Sequence, residues 1–271
     1  MSGTTGLPTC RDSELILADG VATLRFCRDD VRNALTGTRL ADDIIAVCEW
    51  ASVDERVGAL VLTGDGRAFS AGGNVRDMAA KTDMFAGEPF DIQNGYRRGI
   101  QRMTLAMHRL EIPAIAAVNG PAIGAGLDLA CMCDIRIGSA RARMAESFVN
   151  VGLVPGDGGA WFLPRIVGVQ RAAELTFSGR VVDADEALGI GLLLEICMPD
   201  ELLARAHDMA RGFAAKPRRA LRMAKRLLVS GQTARLDDFL DHCASLQALA
   251  HSGAEHEAAL SAALAEISAK G

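Results

Sequence analysis

The stretch Asn119-Gly120-Pro121-Ala122-Ile123-Gly124-Ala125-Gly126-Leu127-Asp128 carries the chain out of the apolar run Ala114–Val118 and into an apolar helix expected over roughly Ile123–Cys131. A short apolar run bounded by turn residues reads as a buried strand. Asn-Gly-Pro ends it, because proline has no N–H to give to a ladder. The tiny residues Gly124, Ala125 and Gly126 then fall where a helix begins. The first N–H groups of a helix have no internal acceptor and favour negative charge. The same glycines also suit a plain packing role, in which they let the helix approach its neighbours closely.

Upstream, Gly58-Ala59-Leu60-Val61-Leu62 reads as a second buried strand. It feeds the loop that contains Phe69-Ser70-Ala71-Gly72-Gly73-Asn74, again small residues that admit a close backbone approach. Nearer the start, Glu14–Ala18 and Val21–Phe26 form a hairpin about Asp19-Gly20, and a helix follows over about Thr38–Ala51. Lys81–Phe90 is irregular, Gln93–Leu110 has a helical period, and Asp134–Gly138 and Arg141–Met144 are further strands. Strands alternating with helices indicate an α/β fold with crossover connections. Beyond about residue 200 the strands cease. Glu201–Phe213, Pro217–Val229, Leu236–Ala250 and Glu255–Ala269 are expected helices, several with apolar stripes suited to subunit contacts. The expected organisation is a core over 1–200 that holds the site and a helical region over 201–271.

The 34 acidic and 29 basic side chains give a net charge of -5, which argues against nucleic acid as a partner. The seven cysteines are odd in number and form no C-x-x-C, as expected of thiols in a reducing cytoplasm. No uncharged apolar run reaches the ~18 residues of a membrane span, and the start MSGTTGLPTCRD lacks the pattern of a signal peptide. A soluble, cytoplasmic protein is therefore expected. No phosphate-binding P-loop is present, Gly124-Ala125-Gly126 lacks the last glycine of a dinucleotide fingerprint, and the histidines lack metal-ligand spacing. Ala68-Phe69-Ser70-Ala71-Gly72 lacks the first glycine of a nucleophilic serine elbow. Neither a metal nor a cofactor is expected.

F-S-A-G-G-N (69–74) followed by A-V-N-G-P-A-I-G-A-G-L-D-L-A (117–130) resembles the paired oxyanion-hole segments of the crotonase (enoyl-CoA hydratase/isomerase) superfamily. Asn33-Ala34-Leu35, Val61-Leu62-Thr63-Gly64, Cys133-Asp134-Ile135-Arg136 and Val151-Gly152-Leu153-Val154-Pro155 match in the same order. The resemblance implies a spiral of ββα units, a C-terminal helical region that assembles a homotrimer or a hexamer, and an acyl-CoA thioester as substrate, coenzyme A being part of that substrate. It implies Gly73 and Ala125 as the two backbone donors to an enolate oxygen. It also implies acyl-CoA contacts around Phe69, Ala71 and Asn74, with Arg28, Arg32 and Arg67 as candidate phosphate partners and Lys225 able to reach a phosphate in an assembly.

Asp128 takes the place of the family's first catalytic glutamate, one methylene shorter, and lies nearly a helical turn after Ala125. At the second glutamate's place stands Phe148, which cannot transfer a proton and is expected only to line the substrate site. Glu146, expected to share a strand face with position 148, and Asp157, in Pro155-Gly156-Asp157-Gly158-Gly159, are the candidate replacements. Each also fits a structural role, Glu146 as an arginine partner and Asp157 as a helix cap. The leading expectation is an enoyl-CoA hydratase in which Asp128 activates water and Glu146 or Asp157 is the second acid. The alternatives are a double-bond isomerase that shuttles one proton on a single carboxylate, with related crotonase chemistry such as dehalogenation beside it, and a non-catalytic acyl-CoA binder.

Overall fold

Two layers of strands wind together along the chain. In the computed structural model, which describes residues 6–270, the main sheet contains β1 (Ser13–Ala18), β2 (Val21–Phe26), β3 (Ala59–Gly64), β4 (Ala114–Val118), β6 (Ile135–Ser139) and β9 (Glu195–Cys197), in the order β1-β2-β3-β4-β6-β9. Only β1 with β2 is antiparallel, joined at Asp19-Gly20, both with positive φ; the remaining pairs are parallel. The opening residues 1–5, on which the expectation about a signal peptide partly rests, lie outside the described residues.

The second layer consists of β5 (Pro121–Ile123), β7 (Arg143–Ala145) and β8 (Val182–Asp183). It is extended by single parallel bridges between Ala34 and Gly72 and between Ser70 and Ala122. Successive turns of the chain thus give one long strand to the main sheet and a short extended segment to the second layer, and then enter a helix. This is the ββα spiral implied by the resemblance.

The helices are α1 (Leu40–Val53), α2 (Val75–Ala80), α3 (Pro89–Arg98), α4 (Ile100–Arg109), α5 (Ala125–Met132), α6 (Gly159–Val167), α7 (Val169–Ser178), α8 (Ala184–Gly189), α9 (Leu202–Ala214), α10 (Arg218–Ser230), α11 (Leu236–His251) and α12 (Ala254–Lys270). Strands β3 and β4 are apolar throughout because both their faces are covered. Leu60, Leu62, Ala114 and Ala116 face the larger core with α1, α4 and α5, while Ala59, Val61, Ile115 and Ala117 meet Leu202, Ala206, Ala210 and Ala214 of α9. The helical region expected from residue 201 therefore opens with a helix that lies on the sheet itself.

Three local expectations change. Gln93–Leu110 is not one helix: α3 and α4 break at Gly99, whose ψ of -111° interrupts the helical ladder. The irregular segment after Lys81 contains a single turn, Asp83–Phe85, before Pro89 opens α3. Glu146 and Phe148 do not share a strand face, because β7 stops at Ala145 and Phe148 begins a short helical turn.

The seam between the strand layers is tight. Phe69 N–H and Ser70 N–H both donate to Pro121 C=O at 3.0 and 3.1 Å, and Ile123 N–H donates to Ser70 C=O at 3.0 Å. A side chain on Gly126 would fall on the Ser70 carbonyl oxygen. Gly126→Ala is accordingly expected to lower stability by about 1–3 kcal/mol, the usual cost of overpacking. A shift of the urea midpoint at unchanged slope would measure it.

Candidate active site

The spiral sets its two small-residue loops side by side. Gly72, at φ 74°, faces the Ile123 carbonyl and the Ala125 and Gly126 nitrogens so closely that a Cβ would strike them. Gly73 follows directly, and Ala125 is the first residue of α5, whose N-cap Gly124 supplies no side-chain cap. Among the described residues neither the Gly73 nor the Ala125 N–H has a protein acceptor. Unpartnered donors at the start of a buried helix form a place for negative charge.

Three carboxyls converge behind this helix start. Asp128 projects from α5, Glu146 follows β7, and Asp157 precedes α6; they are 0, 1 and 4 % exposed. Asp128 Oδ2 accepts from Gly159 N–H at 3.0 Å. A Cβ on Gly159 would strike both Asp128 Oδ1 and Glu146 Oε1, so these two oxygens face one another across the glycine. Asp128 Oδ1, both Glu146 oxygens and Asp157 Oδ1 have no partner among the described N–H and O–H donors. Buried carboxylates without donors are costly, so the cluster retains protons.

Burial, then the neighbouring Glu146 and Asp157, hold the Asp128 carboxyl well above the ordinary range. Burial raises Glu146 to about 7, with Asp157 adding to the rise while its contact with Asp128 works against it. Burial alone raises Asp157 to about 6. Apposed oxygens of Asp128 and Glu146 can bond only through a shared proton, and the burial of both carboxyls favours its retention.

The flanking residues are placed as follows. Helix α4 fixes the 156–157 turn: Gln101 Nε2 donates to Gly156 C=O at 2.9 Å, and Thr104 Oγ1 donates to Asp157 C=O at 2.6 Å. The Phe148 ring lies against Gly124, beside the helix start. Asn74 caps α2, its Oδ1 accepting from Arg76 N–H, and its own N–H donates to Thr36 Oγ1. Ala71 is partly exposed at the loop.

Phe69 departs from its expected place at the ligand: the side chain is fully buried, with its ring edge-on to Phe26 at 5.6 Å. Arg28 pairs with Asp12 and Asp30, and Arg67 with Asp29, whereas Arg32 is exposed in a left-handed conformation. Lys225 does not extend toward a ligand either. It is buried, donating to Ile112 C=O at 2.6 Å and to Asp134 at 2.8 Å. Two neighbours were given no role by the sequence: Gly159, named there only as part of a glycine-rich turn, whose absent side chain makes room for the carboxyl pair, and Tyr96, the chain's lone tyrosine.

Two neighbouring cavities, of about 650 and 520 Å³, adjoin the site through Met78 and Gly156. Another of about 610 Å³ lies between α10 and the last two helices, away from the acids. Among the described residues no metal-ligating cluster is found and no helix is long and apolar enough to cross a membrane.

Paired backbone donors beside buried carboxyls define a site of the crotonase class. The chain belongs to the enoyl-CoA hydratase/isomerase family, whose model matches residues 17–262. Its relatives include 4-chlorobenzoyl coenzyme A dehalogenase-1 of an Arthrobacter species, 33 % identical over 83 % of this chain and 80 % of the relative. Short-chain-enoyl-CoA hydratase of Clostridium acetobutylicum is 34 % identical over 81 % and 82 %. Among solved structures, an enoyl-CoA hydratase/isomerase from Cupriavidus metallidurans superposes with a TM-score of 0.87 at 32 % identity, covering 96 % of this chain and 95 % of that one. Membership implies an acyl-CoA thioester as the substrate, and the relatives' names span several reactions.

The raised Glu146 pKa has a consequence for stability. The folded state binds this proton more tightly than the unfolded chain does. Its contribution is therefore fully present below about 4.5 and lost as pH rises through about 7. Glu146→Gln should remove that loss and stabilise the protein by roughly 2–4 kcal/mol in alkaline buffer, with little gain in acid. Denaturant midpoints of both proteins across pH would check the sign.

Proposed function

We propose that the protein is an enoyl-CoA hydratase that uses the Asp128–Glu146 pair as its acid and base. The observation that carries this is the apposition of two buried carboxyls under Gly159, next to the α5 N-terminus. Hydration of a 2-enoyl thioester needs a proton acceptor for water and a proton donor to the α-carbon, and the pair supplies one of each. The thioester oxygen would accept from the Gly73 and Ala125 N–H groups, which stabilise the charge that develops as the enolate forms. Such donors contribute about 3–4 kcal/mol each where measured.

In this scheme Glu146, the member titrating at about 7, takes a proton from water as the oxygen bonds to the β-carbon. The electron pair of the double bond moves to the α-carbon and thioester, and the proton held by Asp128 completes the α C–H bond. Water is thus added in full, with one proton left on Glu146 and returned to Asp128 at the end of the cycle. The proposal gives water activation to Glu146 where the sequence favoured Asp128, because Asp128 carries the larger burden of burial and neighbouring charge. Glu146 thereby takes over from the absent glutamate at position 148.

A second reading, isomerisation of a 3-enoyl thioester by one shuttling carboxylate, is favoured by Asp157. That carboxyl lies outside the pair, lacks a donor at Oδ1 and titrates at about 6. The relatives' names include both hydratases and isomerases, so they favour neither reading. A non-catalytic binder is supported less, since a binder has no need of costly buried acids.

Ultraviolet absorbance of the conjugated thioester separates these readings. Falling absorbance with a 2-enoyl-CoA supports hydration, and rising absorbance with a 3-enoyl-CoA alone supports isomerisation. For the hydratase, Asp128→Asn and Glu146→Gln should each reduce kcat by about 10²–10⁴-fold while acyl-CoA affinity stays near that of wild type. Activity should rise with pH through about 7 as Glu146 ionises. Undiminished turnover in Asp128→Asn would remove the pair from the mechanism.

A further inference from the structure

Tyr96 lines both of the cavities that adjoin the site, and among their lining residues only Leu153 is also common to the two. The larger cavity, about 650 Å³, has apolar walls from Val75, Met78, Phe85 and Ile92. Met78 closes it toward the Gly73 donor, since a Cβ on Gly73 would strike the Met78 methyl. The smaller, about 520 Å³, is walled by Gln93, Arg97 and Gln101 together with Leu153 and Val154, and reaches Gly156, the residue before Asp157. A lobe at the donor loop and a second lobe that reaches the residue before Asp157 thus meet at one ring.

We propose that Tyr96 is the specificity-determining residue for acyl length: its ring closes the larger lobe where an aliphatic tail leaving the thioester would otherwise run on into the second lobe. The ring is held from behind, with its Cε1 3.3 Å from where a Cβ on Gly156 would stand. Tyr96 itself stands in the last turn of helix α3, which ends at the Gly99 break three residues later. Its hydroxyl has no hydrogen bond to another described residue, so the bulk of the ring rather than an internal tie accounts for its place. Burial and the Asp157 charge raise the phenol's pKa, which keeps it neutral and compatible with an apolar tail. The two volumes explain why one ring matters. Either lobe alone is within the size of ordinary ligand pockets, and their union would accept a much longer chain.

The inference rests on the acyl-CoA reading for its ligand but not on which reaction follows. The test compares wild type, Tyr96→Ala and Tyr96→Phe by calorimetric binding of saturated butanoyl-, octanoyl- and dodecanoyl-CoA, and by kcat/KM on the matching 2-enoyl esters. Tyr96→Ala should raise the dodecanoyl-to-butanoyl affinity ratio by about tenfold or more, the scale on which apolar pockets discriminate chain length. Tyr96→Phe, which keeps the bulk, should leave that ratio unchanged. An unchanged ratio in a folded Tyr96→Ala would overturn the proposal. If that variant fails to fold, Tyr96→Leu replaces it under the same criterion. Absence of turnover alongside the expected change in binding would count against the hydratase and leave Tyr96 standing.

Discussion

The paired hydrogen bonds between Ser70 and the segment Pro121–Ile123 are the constraint on which the site depends. They lock one turn of the spiral to the next, so two loops distant in sequence become neighbours in the second strand layer. Without that registration, Gly73 and Ala125 would be two unrelated backbone amides. The constraint demands small residues, because Gly72 and Gly126 each face a backbone atom from the other loop at a distance no side chain tolerates. Glycine costs conformational entropy on folding, and the seam recovers it through strand pairing and the burial of α5, whose residues are all inaccessible.

Behind the seam the structure accepts a second cost. Asp128, Glu146 and Asp157 lie in an interior otherwise built from alanine, leucine and methionine, with a single backbone N–H among the donors that serve them. A protein under no demand but stability would place apolar groups there. Retained protons are how the fold tolerates such a cluster, and retained protons are also what acid–base chemistry near neutrality requires. The tension between folding and function is therefore concentrated at three side chains and at the two backbone N–H groups left without acceptors.

Much of the architecture was legible because it is written locally. The apolar runs at β3 and β4, the turn at Asp19-Gly20 and the small residues around Gly73 and Ala125 each stand out over a few residues. What escaped notice depends on distance along the chain. The break at Gly99 lies inside a segment whose helical period continues on both sides, so periodicity carries across it. Phe69, with small neighbours, looked like a ligand contact, yet the Phe26 ring from β2 claims it for the core. Lys225 and Asp134 find each other across 91 positions, which turns a candidate phosphate partner into an internal tie. The meeting of Glu146 with Asp128 was foreseeable only as one of several options, since the end of β7 at Ala145 decides where Glu146 turns.

The relatives' differing names follow from how the site is divided between backbone and side chains. A backbone N–H survives almost any substitution at its own residue, so in the proposed reading the enolate-stabilising half of such a site tolerates sequence change. In the same proposed reading the proton-handling half is made of side chains on three separate elements, and each can be replaced singly. Here the place expected for a second glutamate holds Phe148, and the carboxyl two residues earlier meets Asp128 at Gly159, the chain turning after Ala145. Fold and donors therefore define the class of intermediate, while the number and position of carboxyls decide what happens to it. Hydration, isomerisation and dehalogenation can share one scaffold on those terms, and assigning a reaction to this chain comes down to which of its three buried acids faces the bound thioester.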